Sequence, residues 1–362
     1  MSDSILDGLP YPVIMSDDAP ARVVGAVAGA SSVAIVCDAH VGTRRAAIET
    51  AVSASGVNVI GALELRGGER VKRSRSLEDL WRWLVERRAD RHTVLIAVGG
   101  GTITDLAGFA AATFMRGIAW VAVPTTILGM ADAAIGGKTA IDLADGKNLV
   151  GAFWEPRAVI GDLAALDTLP RRERATGMAE IVKAAIIGDP GLLDELGRRR
   201  SARAATDAMR EAIVRAARVK IAIVARDPRE AGAREALNLG HTIGHALEHT
   251  AGRSMPHGHA VSIGLRGEGL LALASGLFSR SEHARVLRAL HRVKLPLYDA
   301  SIDVDAALRA MELDKKRRDG QIRFALPQRL GHVVTQMALD PAKVRAAVAQ
   351  CATPPQAEEL GE

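Results

Sequence analysis

The hydrophobic and polar positions follow two different rhythms along the chain. In the first half, short apolar runs rich in β-branched residues alternate with segments whose apolar positions have helical spacing. The predicted strands are residues 32–37, 57–63, 93–98, 118–123 and 158–161. Residues 44–55 and 77–88 are predicted helices between them. Because strands that alternate with helices are typical of βαβ units, we predict an α/β, nucleotide-binding type of layout around a parallel sheet.

The second half of the chain is predicted to be helical. After Pro170 the strand signals almost vanish, and segments rich in Ala, Leu, Arg and Glu with 3.6-residue periodicity continue to about residue 295. Leu169-Pro170 is an unfavourable place to continue a helix or a strand, so we put the domain boundary there. The predicted domains are residues 1–169 and 170–352, followed by a loose tail over residues 353–362.

Three consecutive glycines, Gly99-Gly100-Gly101, follow the predicted strand 93–98. The next segment, residues 102–115, is a predicted helix that Gly117 closes. The N-terminus of this helix therefore lies beside the glycines, where exposed N–H groups and the helix dipole attract a phosphate. Since the spacing G-x-G-x-x-G is missing, a purely structural turn explains this segment equally well.

Further polar residues follow the predicted strand 118–123, where α/β proteins place their sites. They are Pro124-Thr125-Thr126, Asp132, Gly136-Gly137-Lys138 and Gly146-Lys147-Asn148. A lysine flanked by glycines suits an anion, because the backbone approaches closely while the ammonium supplies charge. A solvated surface role explains any one of these lysines, but explains the whole group less well.

Histidines in the second half suggest a metal site. His241, His245 and His249 stand at i, i+4 and i+8 of a predicted helix, and His257 follows shortly after. A catalytic zinc needs about three protein ligands of N and O type. Glu180 is the leading carboxylate, because it sits in an apolar helical stretch where an unpaired charge is unfavourable. Histidines that merely cap or pack in a helical bundle are the alternative.

Composition narrows the class of protein. Of the 362 residues, 48% are hydrophobic, which supports buried cores. The formal charge of +5 is spread over scattered arginines and lysines, and aromatic residues make up only 3%, so we expect no nucleic acid partner and a small anionic substrate. We find no membrane-spanning stretch and no secretory signal. Two cysteines, Cys37 and Cys351, argue against a disulfide framework and for the cytoplasm.

Six stretches of the chain occur in the order and at the spacings of one known family. They are GGGTITDLAGFAAATFMRG, VPTTILGMADAAIGGKTAIDLADGKNLVGAFWEP, LDTLPRRERATGMAEIVKAAII, REAGAREALNLGHTIGHALEH, PHGHAVSIGL and DKKRRDGQIRFALP. From about residue 30 to 330 the chain resembles 3-dehydroquinate synthase, a sugar-phosphate cyclase. The resemblance implies a Rossmann-like α/β N-terminal domain that holds NAD and an all-α C-terminal domain. It also implies an active site in the cleft between them with a divalent metal, zinc or alternatively cobalt, and a homodimer.

The resemblance also implies a reaction. The family converts 3-deoxy-D-arabino-heptulosonate 7-phosphate to 3-dehydroquinate and phosphate, a carbon–oxygen lyase step of the shikimate route to chorismate and aromatic amino acids. NAD transiently oxidises C5, which acidifies the C6 proton so that phosphate is eliminated. The hydride is then returned, and ring opening and an intramolecular aldol closure complete the carbocycle.

The family pattern assigns roles residue by residue. The implied metal ligands are Glu180, His241 and His257, so that His245 faces the substrate instead. The implied NAD-binding residues are Asp38, Glu69, Lys72, Gly100, Gly101, Asp105, Thr125, Thr126, Lys138, Lys147 and Thr168. The residues implied to bind the substrate phosphate are Lys138, Asn238, His245, one of Lys315 or Lys316, and Arg116 of the neighbouring subunit. Those implied to bind the substrate carboxylate are Lys220 and Arg234. Asp132, Lys183 and Glu230 surround the hydroxyls, and Asn148 joins the substrate-binding set. The implied catalytic residues are Asp132, Lys138, Lys183, Glu230, Asn238 and His245.

Three positions depart from the family pattern, and three rival functions stay open. His40 replaces an asparagine, Thr104 a glycine and His259 a glutamate. One rival is another cyclase, for example one acting on sedoheptulose 7-phosphate; its substrate lacks the carboxylate that Lys220 and Arg234 would meet. The others are a metal-dependent polyol or alcohol dehydrogenase, which would release NADH, and a non-catalytic NAD- or metal-binding regulator.

Overall fold

The computed structural model describes residues 3–66, 68–144, 146–198, 202–251, 255–313, 317–318 and 321–360. The chain divides into two compact units, Met1–Pro170 and Arg171–Glu362. The first is an α/β unit and the second is mainly helical. The predicted fold class is therefore confirmed in its main features. No helix among the described residues is long and apolar enough to cross a membrane.

The α/β unit is built on a seven-stranded sheet. Its strands are β1 Ser4–Leu6, β2 Val13–Ser16, β3 Val33–Asp38, β4 Val59–Leu65, β5 Val94–Gly99, β6 Ala119–Pro124 and β9 Ala158–Asp162; β7 Lys138–Leu143 and β8 Gly146–Phe153 form a separate hairpin. The order across the sheet is β1-β2-β9-β6-β5-β3-β4, and every neighbouring pair is parallel except β1 with β2. The carboxyl ends of β9, β6, β5 and β3 therefore lie side by side.

Helices cover the sheet and bury its central strands. They are α1 Ala19–Ala26, α2 Gly42–Ala54, α3 Ser74–Glu86 and α4 Gly101–Thr113. Val23 of α1 and Ile48 of α2 pack in one apolar cluster with Ile35 of β3 and Ile96 of β5. Because parallel strands are buried on both faces, they are continuous apolar runs in the sequence. All five predicted strands are confirmed, and this reason applies to β3, β5, β6 and β9; β4 lies at the edge of the sheet and is only half-buried.

The sequence reading missed β1, β2, α1 and the β7–β8 hairpin. The N-terminal strands are only three and four residues long and lie on either side of Pro10 and Pro12, so periodicity has little length in which to appear. Most side chains of β8 are exposed, and its sequence is rich in Gly, Lys and Asn. Such a hairpin lacks the apolar alternation on which strand prediction depends.

The predicted helix 102–115 ends earlier than expected. After α4, Phe114–Arg116 form a 3-10 turn in which Met115 and Arg116 have φ of 49° and 66°. Gly117 follows with φ of 121°, and a Cβ there would lie 2.6 Å from the ring of Trp154. This glycine is therefore required both by its backbone conformation and by the close approach of Trp154.

The second unit contains most of the helices. They are α5 Arg171–Gly188, α6 Pro190–Leu196, α7 Ala202–Arg226, α8 His241–Ala251, α9 His257–Ala274, α10 Arg280–Arg292, α11 Val304–Leu313, α12 Pro341–Cys351 and α13 Ala357–Leu360. Two antiparallel pairs are also present, β10 Arg317–Arg318 with β11 Gln321–Ile322, and β12 Phe324–Arg329 with β13 His332–Met337. The expectation of an all-α domain is corrected to this extent, because the buried start of β12 and the tight turn at Gly331, with φ of 84°, form a hairpin.

The predicted loose tail is wrong for residues 353–360. Glu359 of α13 accepts two hydrogen bonds from Arg266 of α9, both 2.9 Å long, and the carbonyl of Thr353 accepts a third from the same guanidinium. Arg266 is fully buried. A buried charge needs such partners, so it holds the end of the chain against the helical unit.

Candidate active site

Three potential metal ligands converge in the helical unit. Glu180 lies in the middle of α5, and His241 and His257 are the first residues of α8 and α9. Glu180 Oε1 is 3.4 Å from His241 Nε2 and 3.3 Å from His257 Nε2. One ligand atom from each residue lies within 4.8 Å of the other two. In a tetrahedral zinc site with bonds of about 2.1 Å, neighbouring ligand atoms are about 3.4 Å apart, so two nitrogens and one oxygen here fit such an ion.

The charges around this cluster favour the ionised form of Glu180, which is the form that binds a metal. Burial opposes ionisation of Glu180, but the Lys183 ammonium on its Oε2 and the neighbouring histidines outweigh burial and hold the pKa of Glu180 well below its usual range. Burial together with Lys183 lowers the pKa of His241. Burial also works to lower the pKa of His257, yet its hydrogen bonds to Glu180 and Glu248 raise that pKa to about 9.

In both histidines the other ring nitrogen, Nδ1, lies within hydrogen-bond distance of an acceptor outside the cluster. His241 Nδ1 is 3.0 Å from the carbonyl oxygen of Leu239 and His257 Nδ1 is 3.2 Å from Glu248 Oε2. Because both partners can only accept, each Nδ1 carries a proton, and Nε2 of the neutral His241 ring presents its lone pair to the cluster. His257, with its raised pKa, also carries a proton on Nε2 when no metal is bound, and a metal would displace that proton. A proton on Nδ1 is what metal binding through Nε2 requires at both rings.

The histidines of α8 do not all join the cluster. The ring of His245 lies 5.0 Å from that of His241 and 6.3 Å from that of His257, adjacent to the ligands. His249 is exposed. A helix turns about 100° per residue, so position i+8 is rotated about 80° from position i and leaves the shared face. The i, i+4, i+8 argument was therefore wrong for His249.

Four further predicted residues of this unit lie in α7 or between α7 and α8. Asn238 Nδ2 donates to Glu230 Oε1 over 3.3 Å, so two of the predicted catalytic residues are in contact. Arg234 is buried, and its guanidinium donates to the carbonyl of Pro228 over 2.6 Å. Lys220 is half-buried on α7. Lys315 and Lys316 lie outside the described residues.

In the α/β unit, predicted cofactor residues line the carboxyl ends of neighbouring strands. Asp38 ends β3, Gly100 and Gly101 follow β5, and Thr125 follows β6. Thr126 comes next, and Thr168 follows a 3-10 turn after β9. The N-terminus of α4 has no side-chain cap, which leaves its N–H groups and positive dipole end to an anionic group.

The three glycines are needed for space and not for unusual dihedrals. Gly99, Gly100 and Gly101 all have negative φ or extended backbone, and none lies in the left-handed region. A Cβ on Gly99 would lie 2.9 Å from Ile103, and one on Gly101 would lie 2.9 Å from the Cβ of Ala133. The glycines are therefore required by the close packing of side chains around this turn.

Other predicted residues of this unit form two contacting groups. Lys72 is buried and donates to Asp105 and to Asn148. Burial works to lower the pKa of Lys72, but Asp105 outweighs it and raises that pKa. Lys147 pairs with Glu69 at 3.4 Å on the surface. Asp132 is half-buried in a π-helical turn, and Lys138 and Arg116 are exposed.

The three departures from the family pattern have different surroundings. His40 donates from its backbone N–H to Asp38 Oδ1 over 2.9 Å, and its ring Nδ1 lies 2.7 Å from the same oxygen. Thr104 is buried, and its hydroxyl donates to the carbonyl of Gly101. His259 is half-buried; burial lowers its pKa, Arg172 adds to this and Asp299 opposes it. His40 and Thr104 each touch a predicted cofactor residue through their side chains, Asp38 and Gly101 respectively.

Sequence reasoning missed two glutamates behind the candidate metal ligands. Glu248 contacts His257, and Glu268 of α9 accepts from the backbone at the start of α8. Glu268 stands in an apolar helical stretch, which is the same signal that pointed to Glu180. Applied along the whole helical half, that signal would have found it.

The chain matches two family models and a set of named relatives. Residues 62–176 match the family described as 3-dehydroquinate synthase N-terminal, and residues 177–317 match 3-dehydroquinate synthase C-terminal. The 3-dehydroquinate synthase of Rhodopirellula baltica is 40% identical over 335 residues, which are 91% of this chain and 89% of that protein.

Solved structures share the whole fold. A 2-epi-5-epi-valiolone synthase from Streptomyces hygroscopicus subsp. jinggangensis 5008, with NAD⁺ and Zn²⁺ bound, is 26% identical with a TM-score of 0.84 and matches 97% of this chain and 99% of that one. A 2-deoxy-scyllo-inosose synthase complexed with carbaglucose-6-phosphate, NAD⁺ and Co²⁺ has the same TM-score at 22% identity, over 97% of this chain and all of that one. The second likeness shows the common fold.

Proposed function

Because the chain belongs to the 3-dehydroquinate synthase family, whose members are carbon–oxygen lyases, we propose that it forms 3-dehydroquinate and phosphate from 3-deoxy-D-arabino-heptulosonate 7-phosphate. The single observation that carries the proposal is the convergence of Glu180, His241 and His257 on one point, with Lys183 beside them. The cluster is the one expected of a catalytic metal site with three protein ligands. The family places this reaction in the shikimate pathway, and the two buried free cysteines are compatible with a cytoplasmic setting.

We propose that Glu180, His241 and His257 hold a divalent metal, zinc or alternatively cobalt. A bound metal supplies Lewis acidity that makes a coordinated hydroxyl easier to deprotonate. The chain's own part is to keep Glu180 ionised next to Lys183 and to orient both Nε2 atoms towards that carboxylate, as the hydrogen bonds on the two Nδ1 atoms do. Lys183, which is buried, is also proposed to contact the substrate hydroxyls.

We propose that the α/β unit binds NAD along the carboxyl ends of β3, β5, β6 and β9. NAD supplies reversible hydride transfer. The uncapped start of α4 would receive the pyrophosphate, and Asp38 would hold a ribose hydroxyl. The full proposed set is Asp38, Glu69, Lys72, Gly100, Gly101, Asp105, Thr125, Thr126, Lys138, Lys147 and Thr168.

The proposed substrate contacts divide by charge. Lys138, Asn238, His245 and Lys315 or Lys316 would bind the phosphate, where clustered positive charge stabilises the departing group. Lys220 and Arg234 would bind the carboxylate. Asp132 and Glu230 would orient hydroxyls, and Asn148 would assist. The contact between Asn238 and Glu230 supports placing phosphate and hydroxyl contacts near each other.

We propose that the protein is a homodimer in which Arg116 of the partner subunit contacts the phosphate. Arg116 is exposed at a turn that packs on Trp154, directly after β8. The same hairpin exposes Leu143, Leu149, Val150 and Phe153. Several large apolar side chains exposed on one hairpin make it a candidate interface between subunits.

The test is an assay of the purified protein with NAD, Zn²⁺ and the heptulosonate phosphate. We expect release of inorganic phosphate and formation of the carbocycle without net NADH. Glu180→Gln, which removes one ligand charge, should abolish release, while Glu358→Gln on the surface of α13 should not affect it. If the metal-loaded wild-type protein releases no phosphate, the proposal is wrong.

A second candidate is a cyclase that acts on a sugar phosphate without a carboxylate, and the TM-score of 0.84 with the valiolone synthase favours testing it. Sedoheptulose 7-phosphate serves as the competing substrate. We expect a much higher kcat/KM for the heptulosonate phosphate, because Lys220 and Arg234 have a carboxylate to bind only there. A preference for the sedoheptulose phosphate would replace the first candidate by the second. Accumulating NADH with either substrate would instead indicate a dehydrogenase.

A further inference from the structure

The two ligand histidines begin two helices that pack against each other. Close contacts pair Gly240 with Gly264, Gly244 with Ala260 and Glu248 with His257, so α8 and α9 run antiparallel. Each histidine therefore lies opposite a later part of the other helix. In both cases a glutamate occupies that later position.

The first of these glutamates acts on His257. Glu248, near the end of α8, accepts from His257 Nδ1 over 3.2 Å, and His257 Nε2 then points at Glu180. A carboxylate behind a metal-binding imidazole fixes its tautomer and its ring orientation, and it raises the basicity of the ligand nitrogen.

The second glutamate acts on the segment that carries His241. The buried carboxylate of Glu268, on α9, accepts from the backbone N–H groups of Gly240, Thr242 and Ile243. These donors flank His241 on both sides, so the carboxylate fixes the first turn of α8, whose N–H groups have no partner inside the helix. This first turn also sets the position of the Leu239 carbonyl oxygen, which accepts a hydrogen bond from His241 Nδ1–H.

The helix pair has little freedom to change register. A Cβ on Gly264 would lie 2.0 Å from the carbonyl oxygen of Gly240, and one on Gly244 would lie 3.1 Å from that of Ala260. The backbones are therefore in contact at both points, as glycine alone permits. A single register thus places both glutamates at once.

We propose that Glu248 and Glu268 are positioning residues that clamp the two ligand histidines reciprocally, each glutamate acting from the helix of the other ligand. The inference rests on the proposed function only in that it requires a metal at Glu180, His241 and His257. It adds that the positions of the two ligand histidines are set within the α8–α9 pair before any ion binds.

The experiment measures metal affinity of Glu248→Gln and Glu268→Gln by competition with a chelator, without substrate or NAD. Removing a residue that orients a ligand weakens metal binding by about 10- to 100-fold, which is the loss expected for each variant. The Co²⁺-loaded proteins should also show altered ligand-field absorption. Glu248→Asp, which keeps a carboxylate, should recover part of the affinity.

Glu282→Gln is the matched control. Glu282 is also a helical glutamate that accepts from a backbone N–H, that of Leu330, over 2.9 Å, and it lies in α10 outside the metal cluster. We expect it to lower the urea midpoint of the metal-free protein without changing the Zn²⁺ dissociation constant. This separates loss of stability from loss of positioning.

Unchanged Zn²⁺ affinity and Co²⁺ absorption in Glu248→Gln would overturn the proposal, as would an equal loss of affinity in Glu282→Gln. If Glu268→Gln does not fold, Glu248→Gln and Glu248→Asp still decide the case, since Glu248 is partly exposed. A wild-type protein that binds Zn²⁺ tightly but releases no phosphate would reject the proposed function and leave this inference standing. A wild-type protein that binds no divalent metal would reject this inference.

Discussion

The buried ionisable side chains of the helical unit differ in whether their polar atoms have hydrogen-bond or ion-pair partners. Glu180 has Lys183 and two histidines, and Glu268 has three backbone N–H groups. His283 on α10 is different, because neither ring nitrogen has a hydrogen-bond partner among the described residues. Burial lowers the pKa of His283 to about 4, with Glu359 opposing and Arg266 adding to the shift. This ring is therefore neutral in the folded protein.

We expect His283 to make the protein less stable in acid. The unfolded chain binds a proton at the ordinary histidine pKa of 6.5, whereas the folded one binds it only near 4. The contribution is thus fully present above pH 6.5 and is lost as the pH falls towards 4, by up to about 3 kcal/mol. In urea unfolding from pH 7 to 4.5, His283→Phe should lose less stability than the wild type.

His291→Gln is the control for this measurement, because His291 is exposed on the same helix. It should lose stability in acid as the wild type does. Parallel pH profiles for wild type and His283→Phe would contradict the prediction.

At the scale of elements, the short helix α13 is held against α9 by hydrogen bonds between Glu359 and Arg266. Arg266 of α9 donates to Glu359 and to the carbonyls of Leu297, Gln350 and Thr353. Since α9 also begins with His257, the end of the chain is fastened to the helix that carries a proposed metal ligand. Sequence alone suggested a loose tail because the ends of a chain are commonly poorly ordered. The partner that orders this one, Arg266, is distant in the sequence.

Glu359→Ala should destabilise the protein strongly. It leaves the buried guanidinium of Arg266 without its carboxylate, and removing one partner of a buried ion pair costs about 3–5 kcal/mol. Glu358→Ala is the matched control, since the pair of Glu358 with Arg280 is 79% exposed on both sides. An exposed pair contributes about 0–1 kcal/mol. Equal urea midpoints for the two variants would show that α13 is not held by Glu359.

At the scale of the whole molecule, the exposed apolar side chains of the β7–β8 hairpin are a candidate surface for dimerisation. Leu149 and Phe153 are each 47% exposed, and Met115 beside Arg116 is 43% exposed. Burying such side chains between two copies would bring Arg116 towards the partner subunit. The predicted homodimer thus has a candidate surface in the α/β unit.

Leu149→Asp should convert the proposed homodimer to a monomer. The new charge would have to be buried unpaired in the interface, which is strongly unfavourable. Sedimentation velocity measures the change, and phosphate release should fall with it, because Arg116 would no longer be supplied by a partner. Ile5→Asp, at another exposed apolar position on β1, should leave the sedimentation coefficient unchanged. A wild-type protein that sediments as a monomer would refute the dimer.

The sequence by itself determined the features that burial imposes locally. The strands β3, β5, β6 and β9 were predicted because a parallel strand buried on both faces is an apolar run, and Glu180 was found because a charge in an apolar helix needs a partner. The six matching stretches added the family, and with it the proposal of His241 and His257 as ligands, with His245 facing the substrate instead.

Only the tertiary structure decided which distant groups meet. The roles of Glu248 and Glu268 depend on the register of α8 against α9, and the order of the tail depends on Arg266. Periodicity reports whether a side chain is buried, since each helix or strand has its own repeat. It does not report the partner, because that is set by the packing of elements far apart in the chain.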